Sequence, residues 1–306
     1  MHLIRKFLTI FIFILNSIII ANEFSWPIDI SKENHLITST FGESRYDHFH
    51  AGIDISGDNL PIYPIQEGNI LYLDFNSMHT HINRFPSGSG NQIWLDHNNG
   101  YWSGYFHLKK FFIPDKKFRI SLNESFALTG NTGRSMGAHL HFFILQDYGR
   151  KIINPFQILS KEIDENPPII EYLLFIIPDK ENDHITIIVP EEENHIRLTQ
   201  PRPIYLKVHD PGRIKNTKRM PYKIEYIFKN NKTLEQSSIT FDYLENQEEG
   251  LKLNGKYKFN HIYHRNYLKL KTFDFTEGKN FITITAYDIN QNKSTKKFIL
   301  NIKKEY

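Results

Sequence analysis

The sequence contains no cysteine among its 306 residues. This absence excludes disulfide bonds, thiolate nucleophiles and cysteine-ligated zinc sites, so any zinc must be held by histidine and carboxylate side chains. The sequence also lacks a strong excess of one charge. It contains 37 Lys and Arg residues and 34 Asp and Glu residues, so its formal net charge is +3. A nucleic-acid-binding protein usually shows a marked basic excess, and nucleic acid is therefore not an expected partner.

The N-terminus shows the three-part pattern of a secretory signal peptide over residues 1–21. Arg5 and Lys6 precede an apolar run over residues 7–20, and Ala21 offers a small residue for cleavage. We therefore expect export to the periplasm or cell envelope, or secretion. The alternative is an uncleaved anchor, which would be the chain's only membrane contact. The run is shorter than the about 20 apolar residues that a spanning helix needs.

Long amphipathic helices are also missing from residues 22–163. This region consists instead of short strand-like segments separated by turn signals such as Ser56-Gly57-Asp58 and Asn98-Asn99-Gly100. The second signal lies between two aromatic-rich segments and predicts a hairpin. The pattern predicts a compact, mostly antiparallel β domain.

A linker is expected at residues 164–168, where Pro167 and Pro168 cannot continue a strand ladder. Beyond it, residues 169–306 hold seven or eight alternating segments, of which residues 281–288 are the clearest. This number of strands in such a length predicts an immunoglobulin-like β-sandwich. The whole chain is thus expected to be all-β. The second domain is expected to act either as a spacer or as the contact for an envelope protein partner.

A polar insert, residues 76–91, interrupts the first domain. It repeats a His-x-His spacing at His79 and His81. In a polar loop such a pair is more typical of solvated side chains than of metal ligands, and loops of this length are often functional.

Three separated motifs carry residues suited to metal chemistry. His139-Leu140-His141 opens a strand-like run, and alternate strand residues share a face. Two imidazoles on one face can share a metal, or one can bind it while the other transfers protons. In an extended segment, His50, Gly52 and Asp54 also share a face, and His107 ends a further strand-like segment.

These motifs, in this order, resemble the lysostaphin-type (LytM-like) zinc metallopeptidases, which are bacterial peptidoglycan endopeptidases. The resemblance rests on His50-x-x-x-Asp54, Tyr105-x-His107-Leu108 and the run from Gly130 to Phe142, and extends over residues 37–159. It includes Ser39-Thr40-Phe41-Gly42 and does not cover the second domain.

The resemblance implies one zinc ion per chain, bound by His50, Asp54 and His141, with His107 and His139 as the two metal-free catalytic histidines. It implies hydrolysis of peptide cross-links in peptidoglycan by a zinc-activated water, so that peptidoglycan peptides are the expected partner. Which of the two histidines accepts the proton and which steadies the oxyanion stays open.

Some positions depart from the family pattern. Phe143 stands where many relatives carry Glu, Phe106 replaces a small residue, and the insert at residues 76–91 is extra. His48, close to His50, is a candidate for a competing ligand or for a residue that contacts a ligand. The alternative function is a non-catalytic module that binds peptidoglycan or activates another hydrolase. A third option is a secreted endopeptidase directed at other proteins or at competitors' cell walls.

Overall fold

The protein is described by a computed structural model over residues 24–32, 35–75, 88–114, 116–177, 184–213 and 217–305. The predicted signal peptide, His79, His81 and most of the predicted insert lie outside the described residues. Within the described ranges, no helix has both the length and the apolar character needed to cross a membrane.

Short strands make up the first half of the chain. They are β1 (Ile37–Ser39), β2 (Ile53–Ser56), β3 (Pro61–Ile62), β4 (Gly68–Asp74), β5 (Gln92–Asp96), β6 (Trp102–Phe106), β7 (Lys110–Phe111), β8 (Arg119–Ile120), β9 (Ala127–Leu128), β10 (His139–Gln146) and β11 (Lys151–Ile153). A 3-10 turn over Pro155–Gln157 follows them.

Longer strands make up the second half. They are β12 (Ile169–Ile177), β13 (His184–Ile188), β14 (Glu193–Leu198), β15 (Pro203–His209), β16 (Lys223–Lys229), β17 (Leu234–Thr240), β18 (Tyr243–Gln247), β19 (Gly250–Leu253), β20 (Tyr263–His264), β21 (Tyr267–Thr272), β22 (Gly278–Tyr287) and β23 (Lys293–Lys304). One short helix, α1 (Phe259–Ile262), precedes β20. With 50% strand and 3% helix, the predicted all-β fold is confirmed.

A ten-stranded antiparallel sheet dominates the first half. Its order is β19-β18-β11-β10-β6-β5-β4-β8, and β2 joins β1 to β10. The expected hairpin links β5 to β6, with Asn98 and Gly100 in the left-handed backbone region at φ 58° and 86°. Leu140 and Phe142 alternate with His139 and His141 along β10 and are fully buried. The histidines therefore occupy the opposite face of the sheet from this core.

Two five-stranded sheets form the predicted sandwich in the second half. Their orders are β13-β12-β15-β21-β20 and β14-β23-β22-β16-β17. Side chains from both sheets, including Leu173, Leu206, Phe228 and Phe298, meet in one buried core. The pairing of β14 with β23 is parallel.

The hairpin β18–β19 does not belong to either sheet of the sandwich. It extends the first sheet instead, because β18 pairs with β11 through Lys151–Glu245, Ile152–Leu244 and Ile153–Tyr243. Phe41 and Phe49, from the first half, are buried in the core of the second. The domain boundaries stay a prediction. The alternating sequence of residues 243–253 did not indicate that this segment would join the first sheet.

Candidate metal centre

The candidate ligands converge because β2 and β10 are neighbours in the first sheet. Their antiparallel register places Asp54 directly opposite His141, and Ser56 opposite His139. His50 lies in the loop that enters β2. A Cβ at Gly52 would lie 2.4 Å from the Phe142 carbonyl oxygen and 3.1 Å from the His141 ring. Only glycine lets the two strands approach this closely.

Three donor atoms meet at this point. His50 Nε2 lies 3.1 Å from Asp54 Oδ1 and 3.0 Å from His141 Nδ1, and the latter two atoms are 2.9 Å apart. Bonds of about 2.0–2.1 Å to a tetrahedral zinc ion would place neighbouring donors roughly 3.4 Å apart. The spacing is close to that, and two imidazoles with one carboxylate are a zinc-type donor set that leaves one position open. The three residues can hold a metal ion.

The ionisation of the ligands suits metal binding. Burial opposes ionisation of Asp54, but the adjacent His50 and His141 rings hold the pKa of that carboxyl well below its usual range. Burial lowers the pKa of the His141 imidazole. At neutral pH the site therefore offers a carboxylate anion and a neutral imidazole, which are the forms that bind metal.

Contacts behind the ligands fix their orientation. His50 Nδ1 donates to the Thr40 carbonyl oxygen at 2.8 Å, so that its Nε2 keeps a lone pair. Asp54 Oδ2 accepts a hydrogen bond from Arg45 Nη2 at 2.8 Å. No periodicity links Arg45 to Asp54, nine residues later, and the sequence pattern did not indicate its role.

His107 and His139 lie beside the donor atoms, with ring centroids 4.7 Å apart. His107 Nδ1 donates to the Thr132 carbonyl oxygen at 2.8 Å, and His139 Nδ1 donates to that of Gly137 at 2.7 Å. Each ring therefore carries its proton on Nδ1 and keeps a lone pair on Nε2. His139 Nε2 lies 3.7 Å from Asp54 Oδ1.

The His107 backbone is in the left-handed region, with φ 63°, which is costly for a residue with a side chain. Its amide donates to the Ser89 carbonyl oxygen at 3.0 Å. Burial, more than the neighbouring imidazoles, lowers the pKa of His107 to about 4. The ring is therefore neutral over the physiological pH range.

An aromatic cluster flanks the metal-binding atoms. The Phe106 ring stacks on His141 with centroids 5.5 Å apart, and Phe143 packs between Phe106 and Trp94 at 4.9 and 5.0 Å. Gly104 makes room for it, because a Cβ there would lie 2.0 Å from the Phe143 ring. Phe106 and Phe143, which both depart from the family pattern, thus pack against each other and form an apolar surface next to the site.

His48 is not one of the three residues whose donor atoms meet, and its role as a competing ligand stays a prediction. Its side chain is 67% exposed, and its Nδ1 pairs with Asp47 at 2.6 Å. The structure brings together all five of the other candidates, His50, Asp54, His107, His139 and His141. Their individual roles stay a prediction.

A second group of carboxylates, which the sequence pattern did not indicate, is buried between the two halves. Asp164, Asp210 and Asp288 lie close together. Arg219 donates to Asp164 and Asp210 at 2.9 Å each and to Glu162 at 2.6 Å. The Arg219 guanidinium compensates much of the negative charge of these carboxylates, and together they form a buried network of ion pairs.

Two imidazoles and a carboxylate, flanked by two further imidazoles with free lone pairs, define a candidate metal-dependent hydrolase site. Residues 48–155 match the family model described as peptidase family M23. The chain thus contains a domain of the M23 (LytM/lysostaphin-type) family, as its motifs predicted. The match includes all five site residues.

Relatives are similar over this part of the chain. An uncharacterized metalloprotease of Buchnera aphidicola subsp. Baizongia pistaciae is 31% identical over 139 residues, which cover 42% of this chain and 33% of the relative. Peptidoglycan DD-endopeptidase ShyB of Vibrio cholerae is 28% identical over 127 residues, which cover 39% of this chain and 27% of that relative. The chain therefore spans a third or less of the length of these relatives.

Among solved structures, a zinc-containing peptidase from Vibrio cholerae is 29% identical. The alignment covers 41% of this chain and 37% of that one, with a TM-score of 0.34.

Proposed function

We propose that this protein is a zinc-dependent endopeptidase that hydrolyses peptide cross-links of peptidoglycan. The observation that carries the proposal is the convergence of His50 Nε2, Asp54 Oδ1 and His141 Nδ1 within 3.1 Å of one another. Two oriented imidazoles, His107 and His139, lie beside them. The match of residues 48–155 to peptidase family M23 and the similarity to a peptidoglycan DD-endopeptidase support the choice of substrate.

The ligands His50, Asp54 and His141 would hold the zinc ion, and the two flanking histidines would move protons. Zinc bound there would act as a Lewis acid toward a scissile carbonyl and would make a water molecule more acidic, toward a pKa of about 7. A neutral imidazole with a lone pair on Nε2 would accept a proton from a water molecule as the water oxygen attacks the scissile carbonyl carbon. The ring protonated in this way would then donate from Nε2 to the oxyanion, or to the nitrogen of the leaving amine as the C–N bond breaks.

The hydrogen bonds to backbone carbonyls prepare both rings for this chemistry. The Thr132 and Gly137 carbonyls hold the proton on Nδ1 and fix each ring plane. Nε2 is then available without a change of tautomer. The low pKa of His107 keeps that ring in its proton-accepting form at neutral pH.

We also propose that the chain is exported and acts in the cell envelope. The support is the signal-peptide pattern of residues 1–21 together with the location of peptidoglycan outside the cytoplasm.

The test is digestion of purified peptidoglycan by the protein without residues 1–21, followed by mass spectrometry of the released fragments. With zinc we expect new peptide ends at cross-links, and a chelator should abolish them. A His141→Ala variant is the matched control. Zinc binding without cleavage of any wall fragment would contradict the endopeptidase and support the non-catalytic module.

A further inference from the structure

The second oxygen of Asp54 is held by an ion pair outside the metal-binding atoms. Asp54 Oδ1 faces His50 and His141, whereas Oδ2 accepts from Arg45 Nη2 at 2.8 Å. Arg45 Nη1 in turn donates to Glu43 Oε2 at 3.4 Å. The Asp54 and Glu43 side chains are 13% and 12% exposed, whereas the Arg45 side chain between them is 34% exposed.

Glu43 is itself anchored by the second half of the chain. Its Oε1 accepts from the Met220 amide at 3.2 Å and from the Thr40 hydroxyl at 3.0 Å. The Met220 amide also donates to Thr40 Oγ1 at 3.0 Å. Next to this contact, the Tyr263 hydroxyl donates to the Gly42 carbonyl oxygen at 2.9 Å.

The same loop also orients a second ligand, because the Thr40 carbonyl oxygen accepts from His50 Nδ1. Residues 40–45, here called the support loop, therefore supply the outer contacts of two of the three candidate ligands. Residues of the second half, Met220 and Tyr263, hold that loop.

We infer that Arg45 and Glu43 are positioning residues for the metal centre, and that the second half of the chain fixes them through the support loop. The Arg45 guanidinium donates to Oδ2, so that Asp54 would offer only Oδ1 to a bound metal ion. A carboxylate released from Arg45 would rotate, and its ligand geometry would no longer be fixed. This inference rests on the proposed metal site but not on the proposed substrate.

The principal test is zinc affinity, measured by competition with a chromophoric chelator, which requires no turnover. Arg45→Met removes both the hydrogen bond and the charge, and we expect zinc affinity to fall by about 10- to 100-fold, as is typical when an outer contact of a ligand is lost. Arg45→Lys keeps the charge without the planar fork and should recover only part of the loss.

Two further variants probe the anchoring. Glu43→Gln keeps an oxygen for Thr40 and Met220 but loses the anion that holds Arg45, and should weaken zinc binding less than Arg45→Met. Tyr263→Phe removes only the hydroxyl bonded to Gly42, and a fall of a few-fold is expected.

Arg119→Met is the matched control, because Arg119 forms an ion pair with Glu67 at 2.6 Å, both side chains are 57% exposed, and β8 lies at the far edge of the sheet. Its zinc affinity should equal that of the unmodified protein. Unchanged or tighter zinc binding by Arg45→Met would overturn the inference. If Arg45→Met does not fold, unchanged binding by folded Glu43→Gln and Arg45→Lys would overturn it equally. An unmodified protein that binds zinc yet cuts no peptidoglycan would defeat only the proposed function.

Discussion

At the scale of residues, the two histidines of β10 illustrate how one motif supplies two kinds of side chain. His141 directs Nδ1 at the Asp54 carboxylate, whereas the Nδ1 of His139 is occupied by the Gly137 carbonyl. Alternation along a strand gives both residues the same face and does not distinguish them. The difference comes from which nitrogen each ring has free, and this depends on backbone carbonyls that the motif does not specify.

Substitutions of the two histidines should therefore have different effects, one on zinc affinity and the other on the rate of cleavage. His141→Ala removes a metal donor and should lower zinc affinity by at least 10-fold, because only two protein ligands remain. His139→Ala should leave zinc affinity nearly unchanged and lower the rate of peptidoglycan cleavage by about 10²–10⁴-fold, the usual contribution of a general acid or base. Chelator competition and fragment release measure the two effects separately.

Asn98→Ala, in the turn between β5 and β6, serves as a control for general damage to the sheet. Equal loss of zinc by both histidine variants would contradict the division of roles.

At the scale of elements, the site depends on the contact between β2 and β10. The strands themselves follow from their sequences, since buried Ile53 and Ile55 alternate with Asp54, and Leu140 and Phe142 alternate with the histidines. The pairing of these two strands depends on Gly52, where the Phe142 carbonyl leaves no room for a side chain.

Gly52→Ala should damage both stability and metal binding. The new Cβ would have to displace backbone of β10, and we expect a loss of about 1–3 kcal/mol in the free energy of unfolding, together with weaker zinc binding because the His141 ring would shift. Denaturant unfolding and chelator competition measure these effects.

Gly137→Ala is the matched control, because a Cβ there meets nothing within 4 Å. A Gly52→Ala variant as stable as Gly137→Ala, with unaltered zinc affinity, would show that the close approach of β2 and β10 is not required.

The elements were predictable from the sequence to different degrees. The all-β class and the hairpin at Asn98–Gly100 could be anticipated, because local alternation and turn residues specify them. The convergence of His50, Asp54 and His141 was anticipated only through the resemblance to the lysostaphin-type family, because alternation does not state which separated segments meet. The pairing of β18 with β11 could not be anticipated, because alternation shows which residues share a face of a strand but not which strand lies beside it. The support of Asp54 by Arg45 was hidden for a similar reason, because it depends on the path of a loop.

At the scale of the whole molecule, the two halves share a sheet and a core. β18 continues the first sheet beyond β11, and Phe41 and Phe49 are 1% and 3% exposed within the core of the second half. A connection of this kind differs from a flexible tether between independent modules.

Residues 22–163 expressed alone should therefore be less stable than the same region in the full chain. Removal of the second half would expose Phe41, Phe49 and the edge of β11, and each newly exposed aromatic side chain forfeits roughly 2–3 kcal/mol of burial free energy. We expect a lower melting temperature and concentration-dependent aggregation, measured by thermal unfolding and light scattering. A monomeric fragment that melts with the full chain would contradict the shared core.

The pairing of β11 with β18 also has a consequence for the order in which the molecule forms. Lys151 and its partner Glu245 are separated by more than ninety positions in the chain, and contacts of such separation form slowly. A chain emerging from its N-terminus has the whole of β10, with both histidines, long before β18 and β19 exist to cover the neighbouring edge. The ten-stranded sheet can be completed only once residue 253 is available, so we expect the candidate metal centre to reach its final form only after most of the second half has been made.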